Sequence, residues 1–406
     1  MSLDLDAIRS RFPALSRTHG ESTAVYLDGP AGSQVPLEVA DAVRHYLLHA
    51  NANKGGVFAT AVDSDAILAE ARASTADLLG TPDEGEVIYG PTMRALTLQL
   101  SHAPGPSLPP DSHIVLSRMD HDANITPWER MAARHGFSVG YIDVSPDGTL
   151  DRASYARELD RGAALVAFTA ASNVLGTVTP VAELTEQAHA AGALVFVDAV
   201  HYAAHRAMDV RAWGCDFLAC SAYKFFAPHV SVLYGRRSLL EALDADQLRP
   251  APTTIPGKWM VGTQSHEGIA GLGAALRYLA SLGEGSSRRA QLVDAFDRIQ
   301  AHETGLAEAL LSGLAAMPEI TVHGLTDASR VSERAPTVSL THRRHRPREM
   351  AAALAERGIF TWSGHHYALT LCEHLGLMPD GVLRLGPLHY NTQSEVQRVL
   401  TALKEL

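Results

Sequence analysis

The sequence has 406 residues, of which 46% are hydrophobic and 19% are charged, and its formal net charge is −11. This composition provides enough apolar residues for a sizeable core, and the length predicts two domains, or one large domain with a smaller one. The acidic balance gives no basis for nucleic-acid binding and no apolar run is long enough to span a membrane, so neither partner is expected.

Cysteine usage indicates the compartment. The three cysteines, Cys215, Cys220 and Cys372, lack the spacing of a disulfide framework, which favours a reducing environment. Residues 1–6 carry acids where a signal peptide would carry bases followed by an apolar run. We therefore expect a cytoplasmic protein.

From about residue 20 to residue 250, short apolar runs alternate with segments of helical spacing such as 64–79 and 181–191. Continuous apolar runs are typical of strands that are covered on both faces of a parallel sheet. These runs are residues 86–89, 113–116, 164–168 and 193–197. The pattern predicts a large three-layer α/β/α domain with a mostly parallel sheet and with ligand chemistry at the carboxyl ends of its strands.

A turn-rich segment at 249–257 predicts the exit from this domain. Helical spacing follows at about 267–282 and 287–317, and strands are predicted near 320–323, 337–340, 359–362 and 382–385. The expected division is an N-terminal segment, 1–20, packing with the small domain, a large cofactor-binding domain, 21–265, and a bridging helix with a smaller α/β C-terminal domain, 266–406.

A lysine and an acid mark the predicted strand ends. Asp198 closes an apolar run, His201 follows it, and Lys224 lies in the segment SAYKFFAP at 221–228. A lysine amine forms a Schiff base with an aldehyde, and a carboxylate can keep a pyridine nitrogen protonated. These residues therefore predict a pyridoxal 5'-phosphate site.

Motifs from YLDGPAGS at 26–33 to HYNT at 389–392 resemble the class V aminotransferase and cysteine desulfurase-like family of fold type I pyridoxal-phosphate enzymes. The resemblance implies that Lys224 is the Schiff-base lysine and that Asp198 pairs with the pyridine nitrogen. It places Asn173 and His201 near the phenolic oxygen of the cofactor. His121 corresponds to the histidine that stacks on the ring and passes protons.

The same resemblance predicts how the cofactor phosphate is held. Thr92 and Met93 follow a strand and open a helix, where free amides favour an anion, although Met93 offers only its backbone amide. Ser221 corresponds to a phosphate-binding hydroxyl, and Tyr223 replaces the usual histidine beside the lysine. Thr263 corresponds to a threonine that reaches the phosphate of a neighbouring subunit, which implies a homodimer with active sites at the interface.

Substrate residues follow from the family pattern as well. Arg384 corresponds to the arginine that binds a substrate carboxylate, so a small amino acid is the expected substrate. Lys54 lies where relatives have a basic residue from an N-terminal loop, and His366 and Tyr367 lie at the motif near the substrate.

This motif departs from that of related desulfurases, which read glycine-histidine-histidine-cysteine. Here the run is Gly364, His365, His366 and Tyr367, and a tyrosine cannot form a persulfide. The departure implies a subgroup that lacks the desulfurase catalytic cysteine, with Cys372 expected in apolar packing. No metal site is expected, because the histidine and cysteine spacing here fits no standard zinc pattern.

The expected reaction is chemistry at Cα and Cβ of an amino acid bound to the cofactor as a Schiff base. Freed Lys224 removes the α-proton while Asp198 keeps the ring cationic. A sulfur leaving group would give β-elimination by a carbon–sulfur lyase, and other substrates would give aminotransferase or epimerase-type products. A classical cysteine desulfurase is not expected. Two alternatives stay open: a desulfurase using a non-standard thiol, and an inactive cofactor-binding regulatory or scaffold protein.

Overall fold

The computed structural model describes residues 3–20 and 22–406 and is built around a seven-stranded sheet. In chain order its strands are β1 (Val87–Gly90), β2 (His113–Ser117), β3 (Ser138–Ile142), β4 (Ala163–Thr169), β5 (Leu194–Asp198), β6 (Phe217–Ser221) and β7 (Ser231–Gly235). Their spatial order is β1-β7-β6-β5-β4-β2-β3, and only β7 runs antiparallel to its neighbours. The predicted mostly parallel sheet is confirmed.

The continuous apolar runs are explained by burial on both faces of this sheet. Along β5, Val195 and Val197 belong to one apolar cluster and Phe196 belongs to another, and all three are fully buried. Because side chains alternate across a strand, the two clusters lie on opposite faces. The sheet is therefore the middle layer of an α/β/α sandwich, as predicted.

The helices of the protein in chain order are α1 (Leu5–Ser10), α2 (Leu37–His45), α3 (Ala59–Leu79), α4 (Met93–Leu100), α5 (Thr126–His135), α6 (Arg152–Asp160), α7 (Val181–Ala190), α8 (Val210–Trp213), α9 (Arg237–Ala242), α10 (His266–Ala280), α11 (Arg288–Ala315), α12 (Pro347–Ala355), α13 (Leu369–His374) and α14 (Gln393–Lys404). Helix α10 packs against α2 and α3, and α11 contacts both α10 and α14. No helix within residues 3–20 and 22–406 is long and apolar enough to cross a membrane.

A second sheet has the order β8-β9-β11-β10 and is antiparallel throughout. Its strands are β8 (Ile320–His323), β9 (Val338–His342), β10 (Trp362–Gly364) and β11 (Val382–Leu385). One cluster of buried side chains, including Leu310, Leu354, Leu383 and Val399, packs this sheet against α11, α12 and α14. The placement of domain limits at residues 20 and 265 stays a prediction.

The strand predicted at 359–362 is divided in the structure. Ile359–Phe360 pairs in parallel with Val25–Tyr26, whereas β10 joins the second sheet. Val25 and Leu27 are fully buried in the apolar cluster of the second sheet. The chain segment that follows them, Asp28–Ala31, is thereby held beside the carboxyl end of β11 through the bridge between Asp28 and Gly386.

Candidate active site

A cavity of about 450 Å³ lies at the carboxyl ends of β4, β5 and β6. Ligand sites of α/β proteins form at this edge because the loops after parallel strands converge there. Among the residues predicted for the site, the cavity is lined by Thr92, Met93, His121, Asn173, Asp198, His201, Ser221, Tyr223 and Lys224. The structure thus brings together most of the predicted site residues.

Lys224 lies in a single 3-10 turn, Ala222–Lys224, directly after β6. Its ammonium nitrogen donates a hydrogen bond to the backbone carbonyl of Pro30. Burial and then the charge of Arg384 lower the pKa of Lys224 to about 7, while Asp198 and Asp28 oppose this shift. The amine is therefore present in both its neutral and its charged form near neutral pH.

Asp198 is the last residue of β5 and is almost completely buried. Its Oδ1 accepts a hydrogen bond of 2.8 Å from the amide of Val200. Burial raises the pKa of Asp198 to about 6, against the favourable effects of this hydrogen bond and of Lys224. A carboxylate in such an apolar position gains from a cationic partner in the cavity.

His201 and His121 are both held in the neutral form. Burial, reinforced by His205, Arg384 and Lys224, lowers the pKa of His201, whose Nε2 lies 3.1 Å from the hydroxyl of Thr337. Burial and then the charge of Lys224 lower the pKa of His121 to about 3. The Nδ1 of His121 accepts a hydrogen bond of 3.0 Å from the amide of Ala123, which fixes its ring.

Arg384 lies on β11, beside the cavity, and is 4% exposed. Its Nη1 donates a hydrogen bond of 2.7 Å to the backbone carbonyl of Asn173. Burial lowers the pKa of Arg384 to about 9, and Asp28 counteracts this shift. Asn173 donates through its side-chain amide to the carbonyl of His366 at 3.0 Å.

His366 and Tyr367 form a loop with left-handed backbone angles, φ 50° and 58°. Non-glycine residues adopt this region rarely, so the surrounding contacts must hold the loop in place. The carbonyl of Tyr367 accepts a hydrogen bond of 2.7 Å from the amide of Asp122. The Tyr367 ring stacks on His121, with centroids 5.3 Å apart and planes 20° apart, and Tyr367 is 57% exposed. It therefore covers His121 at the cavity mouth.

The predicted phosphate residues lie together at one side of the cavity. Thr92 caps helix α4 by accepting a hydrogen bond of 3.0 Å from the amide of Ala95, and Met93 is buried. Ser221 is buried beside Ser231, with their hydroxyl oxygens 3.1 Å apart. Tyr223 stacks on His229 with centroids 4.7 Å apart.

Five predicted residues do not line this cavity. Arg384, His366 and Tyr367 contact residues that line it, and the other two are Thr263 and Lys54. Thr263 is exposed and lines a separate cavity of about 180 Å³ together with His229. Lys54 is exposed on the loop before α3. Their assignments to the phosphate and to the substrate stay predictions.

Sequence reasoning missed several residues of the site. Arg94 and His229 line the cavity, and Pro30 both lines it and contacts Lys224. The signal for Arg94 was its place directly after Met93 in the helix-opening motif. Asp28, within the motif at 26–33, is partly buried, and burial raises the pKa of its carboxyl to about 6.

The three cysteines are free and buried, and none lines the cavity. Burial raises the pKa of Cys372 to about 11 and raises the pKa values of Cys215 and Cys220 further. A thiol with a raised pKa is a poor nucleophile because the thiolate is the reactive form. Within the described part of the chain, no cluster of three or more His, Cys, Asp or Glu residues could hold a metal ion.

The residues present fit pyridoxal phosphate. Asn173 Oδ1, in the cavity wall, is buried without a hydrogen-bond partner within the described residues, as is His366 Nε2 nearby. Buried polar atoms of this kind call for a polar ligand. Asp198 and Lys224 supply the acid and the amine that the ring nitrogen and the aldehyde of this cofactor require.

Comparison with known proteins agrees with this fold. The sequence profile of the family described as Aminotransferase class-V matches residues 25–399. A cysteine desulfurase of Dickeya dadantii (strain 3937) is 32% identical over an alignment covering 99% of this chain and 96% of the relative. A probable cysteine desulfurase of Streptomyces coelicolor is 31% identical, with 100% and 97% covered.

Solved structures give the same result. The apo cysteine desulfurase of Thermococcus onnurineus NA1 has a TM-score of 0.89 and 26% identity, with 100% of this chain and 98% of that chain covered. The Escherichia coli cysteine desulfurase CsdA, in an S-sulfonic acid form, has a TM-score of 0.86 and 27% identity with the same coverage. The fold and these matches define a pyridoxal-phosphate-dependent α/β enzyme. The chain belongs to the class V aminotransferase family.

These comparisons correct the expected reaction. The prediction of a carbon–sulfur lyase, or of an aminotransferase or epimerase-type enzyme, is wrong, since the relatives and the structural neighbours are named cysteine desulfurases. The expected reaction depended on one side chain, Tyr367, whereas the match to proteins named cysteine desulfurases extends over the whole chain. Neither the alternative of a non-standard thiol nor that of an inactive scaffold is better supported.

Proposed function

We propose that the protein desulfurates L-cysteine with the help of pyridoxal phosphate. The observation that carries this proposal is that Lys224 and the buried carboxylate of Asp198 line one cavity, and that both Asp198 and the buried guanidinium of Arg384 are close enough to act on the pKa of Lys224. The names of the relatives at 32% and 31% identity supply the substrate.

Arg384 is proposed to bind the carboxylate of the amino acid. One of its N–H groups already donates a hydrogen bond to the carbonyl of Asn173, and this contact orients the guanidinium plane. A guanidinium has five N–H donors, so a forked pair remains available for a planar carboxylate. Because Arg384 is buried, its charge acts in a poorly screened environment and favours an anion.

Lys224 is proposed to hold the cofactor and then to transfer the substrate protons. With a pKa of about 7, its amine can accept a proton and return it at neutral pH. The cofactor, when bound, supplies an electron-accepting ring that stabilises negative charge next to the substrate carbon. Asp198 would pair with the ring nitrogen, and neutral His121 would lie on the ring face and hold its place through the amide of Ala123.

Asn173 and His201 are proposed to lie beside the phenolic oxygen. Both residues line the cavity; the Oδ1 of Asn173 is buried without a hydrogen-bond partner within the described residues, and His201 is buried. On the opposite side, Thr92, Met93, Ser221 and Tyr223 are proposed to surround the phosphate. The amides at the beginning of α4 lack partners within the helix and favour an anion.

We further place the chain in a subgroup without the sulfur-accepting cysteine of related desulfurases. Tyr367 occupies its position in the motif, and the buried cysteines are unsuited to the role. The sulfur would then pass to a thiol that enters from solvent. The balanced reaction converts L-cysteine and a thiol, RSH, into alanine and a persulfide, RSSH.

A homodimer with shared sites is proposed on the basis of exposed apolar residues. Val57, Phe58 and Val261 are 99%, 59% and 63% exposed, and they flank Lys54 and Thr263 in sequence. Exposed apolar surface is typical of protein interfaces. Such an interface would bring Lys54 and Thr263 to the cavity of the partner. The three free, buried cysteines are in keeping with a reducing cytoplasm.

The test is a product analysis with purified protein, pyridoxal phosphate, L-cysteine and an added thiol. We expect alanine and persulfide in equal amounts, and none with Lys224→Ala. Formation of pyruvate and ammonia in place of alanine would contradict desulfuration and would indicate β-elimination instead. If the protein bound the cofactor but formed neither alanine and persulfide nor pyruvate and ammonia, L-cysteine would not be its substrate.

A further inference from the structure

Arg94 is a cation of the cavity that none of the proposed roles uses. It lies in the first turn of α4 and lines the cavity, and its side chain is exposed. Within residues 3–20 and 22–406, no carboxylate lies within 4.0 Å of its guanidinium and no acceptor forms a hydrogen bond with it. The guanidinium lies over the ring of Tyr367, with Cζ 5.3 Å from the ring centroid. The charge is therefore available for a ligand.

The position of Arg94 is at the mouth of the cavity and not at its floor. Tyr367, the ring under the guanidinium, is more than half exposed and covers His121. The other charged groups have partners inside: Lys224 contacts Pro30, and Arg384 contacts Asn173. An anion entering from solvent would meet Arg94 and Tyr367 first.

We propose that Arg94 and Tyr367 form the binding site for the sulfur acceptor and that this acceptor is a small anionic thiol. The proposal rests on the proposed desulfuration, which leaves the acceptor to come from solvent because the chain's own cysteines are buried away from the cavity. The anionic group would pair with Arg94, and the carbon chain of the thiol would pack on the Tyr367 ring, so that the thiol points toward the substrate.

The transfer balances without any other reactant. The Cβ–S bond of cysteine breaks and an S–S bond forms with the acceptor. Cβ is reduced to a methyl group, and the two sulfur atoms are oxidised by the same two electrons. The proton of the acceptor thiol is balanced by the new hydrogen on Cβ, and the proton of the cysteine thiol remains on the persulfide.

The experiment compares acceptor thiols of different charge with the cofactor-loaded enzyme. Alanine formation is measured with mercaptopropionate, mercaptoethanol and cysteamine, which are anionic, neutral and cationic. We expect kcat/KM for mercaptopropionate to exceed that for mercaptoethanol by about fivefold, because an exposed ion pair contributes up to about 1 kcal/mol. Cysteamine should be the poorest acceptor, and added salt should reduce the differences.

Substitutions of Arg94 test whether this residue causes the preference for the anionic thiol. In Arg94→Gln, the ratio of kcat/KM for mercaptopropionate to kcat/KM for mercaptoethanol should fall close to one. Arg94→Lys keeps the positive charge and should keep most of this ratio. Arg130→Gln is the matched control, since Arg130 is also exposed but lies on α5 outside the cavity lining. That control should keep the full ratio.

The outcomes separate the two proposals. Equal rates of alanine formation with all three thiols would overturn the acceptor site while leaving desulfuration intact. The absence of alanine with every thiol would instead remove desulfuration itself. A weaker affinity of Arg94→Gln for pyridoxal phosphate, with the thiol ratio unchanged, would show that Arg94 binds the cofactor phosphate and would also overturn the acceptor site.

Discussion

Arg384 and Asn173 join the two sheets of the protein at the candidate active site. Arg384 is on β11 of the second sheet, Asn173 follows β4 of the large sheet, and their hydrogen bond is 2.7 Å long. The side chain of Asn173 continues the contact to the carbonyl of His366 at 3.0 Å. Both sheets thus contribute to the proposed substrate site. The guanidinium of Arg384, on the second sheet, is oriented by a carbonyl that follows a strand of the large sheet.

Replacing Arg384 by glutamine should weaken amino-acid binding while leaving cofactor attachment intact. Loss of a charge-assisted pair costs about 1.5–3 kcal/mol, which corresponds to an increase of about 10- to 150-fold in the dissociation constant of L-cysteine. Spectral titration with L-cysteine measures this constant, and the absorbance of the bound cofactor is the control. An unchanged titration curve would remove Arg384 from the carboxylate site.

The capture of the cofactor by the protein should depend on pH through Lys224. Only the neutral amine attacks an aldehyde, and the pKa of Lys224 is lowered to about 7 by burial and by Arg384. The rate of cofactor attachment to the apoprotein should therefore rise as the pH rises through about 7 and level off above it.

Removing the charge of Arg384 provides the control for this pH dependence. Because Arg384 contributes to the lowered pKa of Lys224, the midpoint for Arg384→Gln should move to higher pH. Stopped-flow absorbance gives the rate at each pH. A wild-type rate that is flat between about pH 6 and 8 would contradict the assignment of this amine.

Lys224→Ala should abolish the covalent attachment of the cofactor. Reduction with borohydride, digestion and mass spectrometry should place the adduct on Lys224 in the wild-type protein and find none in the variant. Lys258→Ala serves as the matched control, because Lys258 contacts the backbone carbonyls of Glu241 and Leu243 and does not line the cavity. A reduced adduct that persists on another lysine would overturn the assignment.

The large sheet could be predicted from the sequence because its strands are buried on both faces. Continuous apolar runs, such as the one ending at Asp198, are produced by that environment and by few others. The lysine and the acid could also be recognised in the sequence, since Asp198 ends one strand and Lys224 lies three residues after the end of the next. Their chemistry could be inferred because the carboxyl ends of parallel strands meet at one edge.

Contacts between segments that are distant in the chain could not be predicted from the sequence in the same way. The strand predicted at 359–362 is divided because Ile359–Phe360 finds a partner in Val25–Tyr26, more than three hundred positions away. The contact of Pro30 with Lys224 likewise joins residues 194 positions apart. The reaction itself was mispredicted because it was inferred from one side chain, Tyr367, in a chain whose sequence and fold match proteins named cysteine desulfurases over their whole length.

Gly386→Ala should destabilise the protein and loosen the cofactor site. A Cβ at Gly386 would overlap the ring of Pro30, whose carbonyl accepts the hydrogen bond from Lys224. Overpacking of a buried contact costs about 1–3 kcal/mol, so the free energy of unfolding should fall by that amount. The displaced carbonyl of Pro30 should also weaken cofactor retention.

Gly305→Ala is the matched control for this substitution. A Cβ at Gly305, in helix α11, would meet only Gln393 at an ordinary distance of 3.5 Å, and alanine favours helix by up to about 1 kcal/mol over glycine. Thermal unfolding and cofactor absorbance after dialysis measure both effects. If Gly386→Ala were as stable as Gly305→Ala and kept its cofactor equally well, the close approach of Gly386 to Pro30 would have no part in shaping the site.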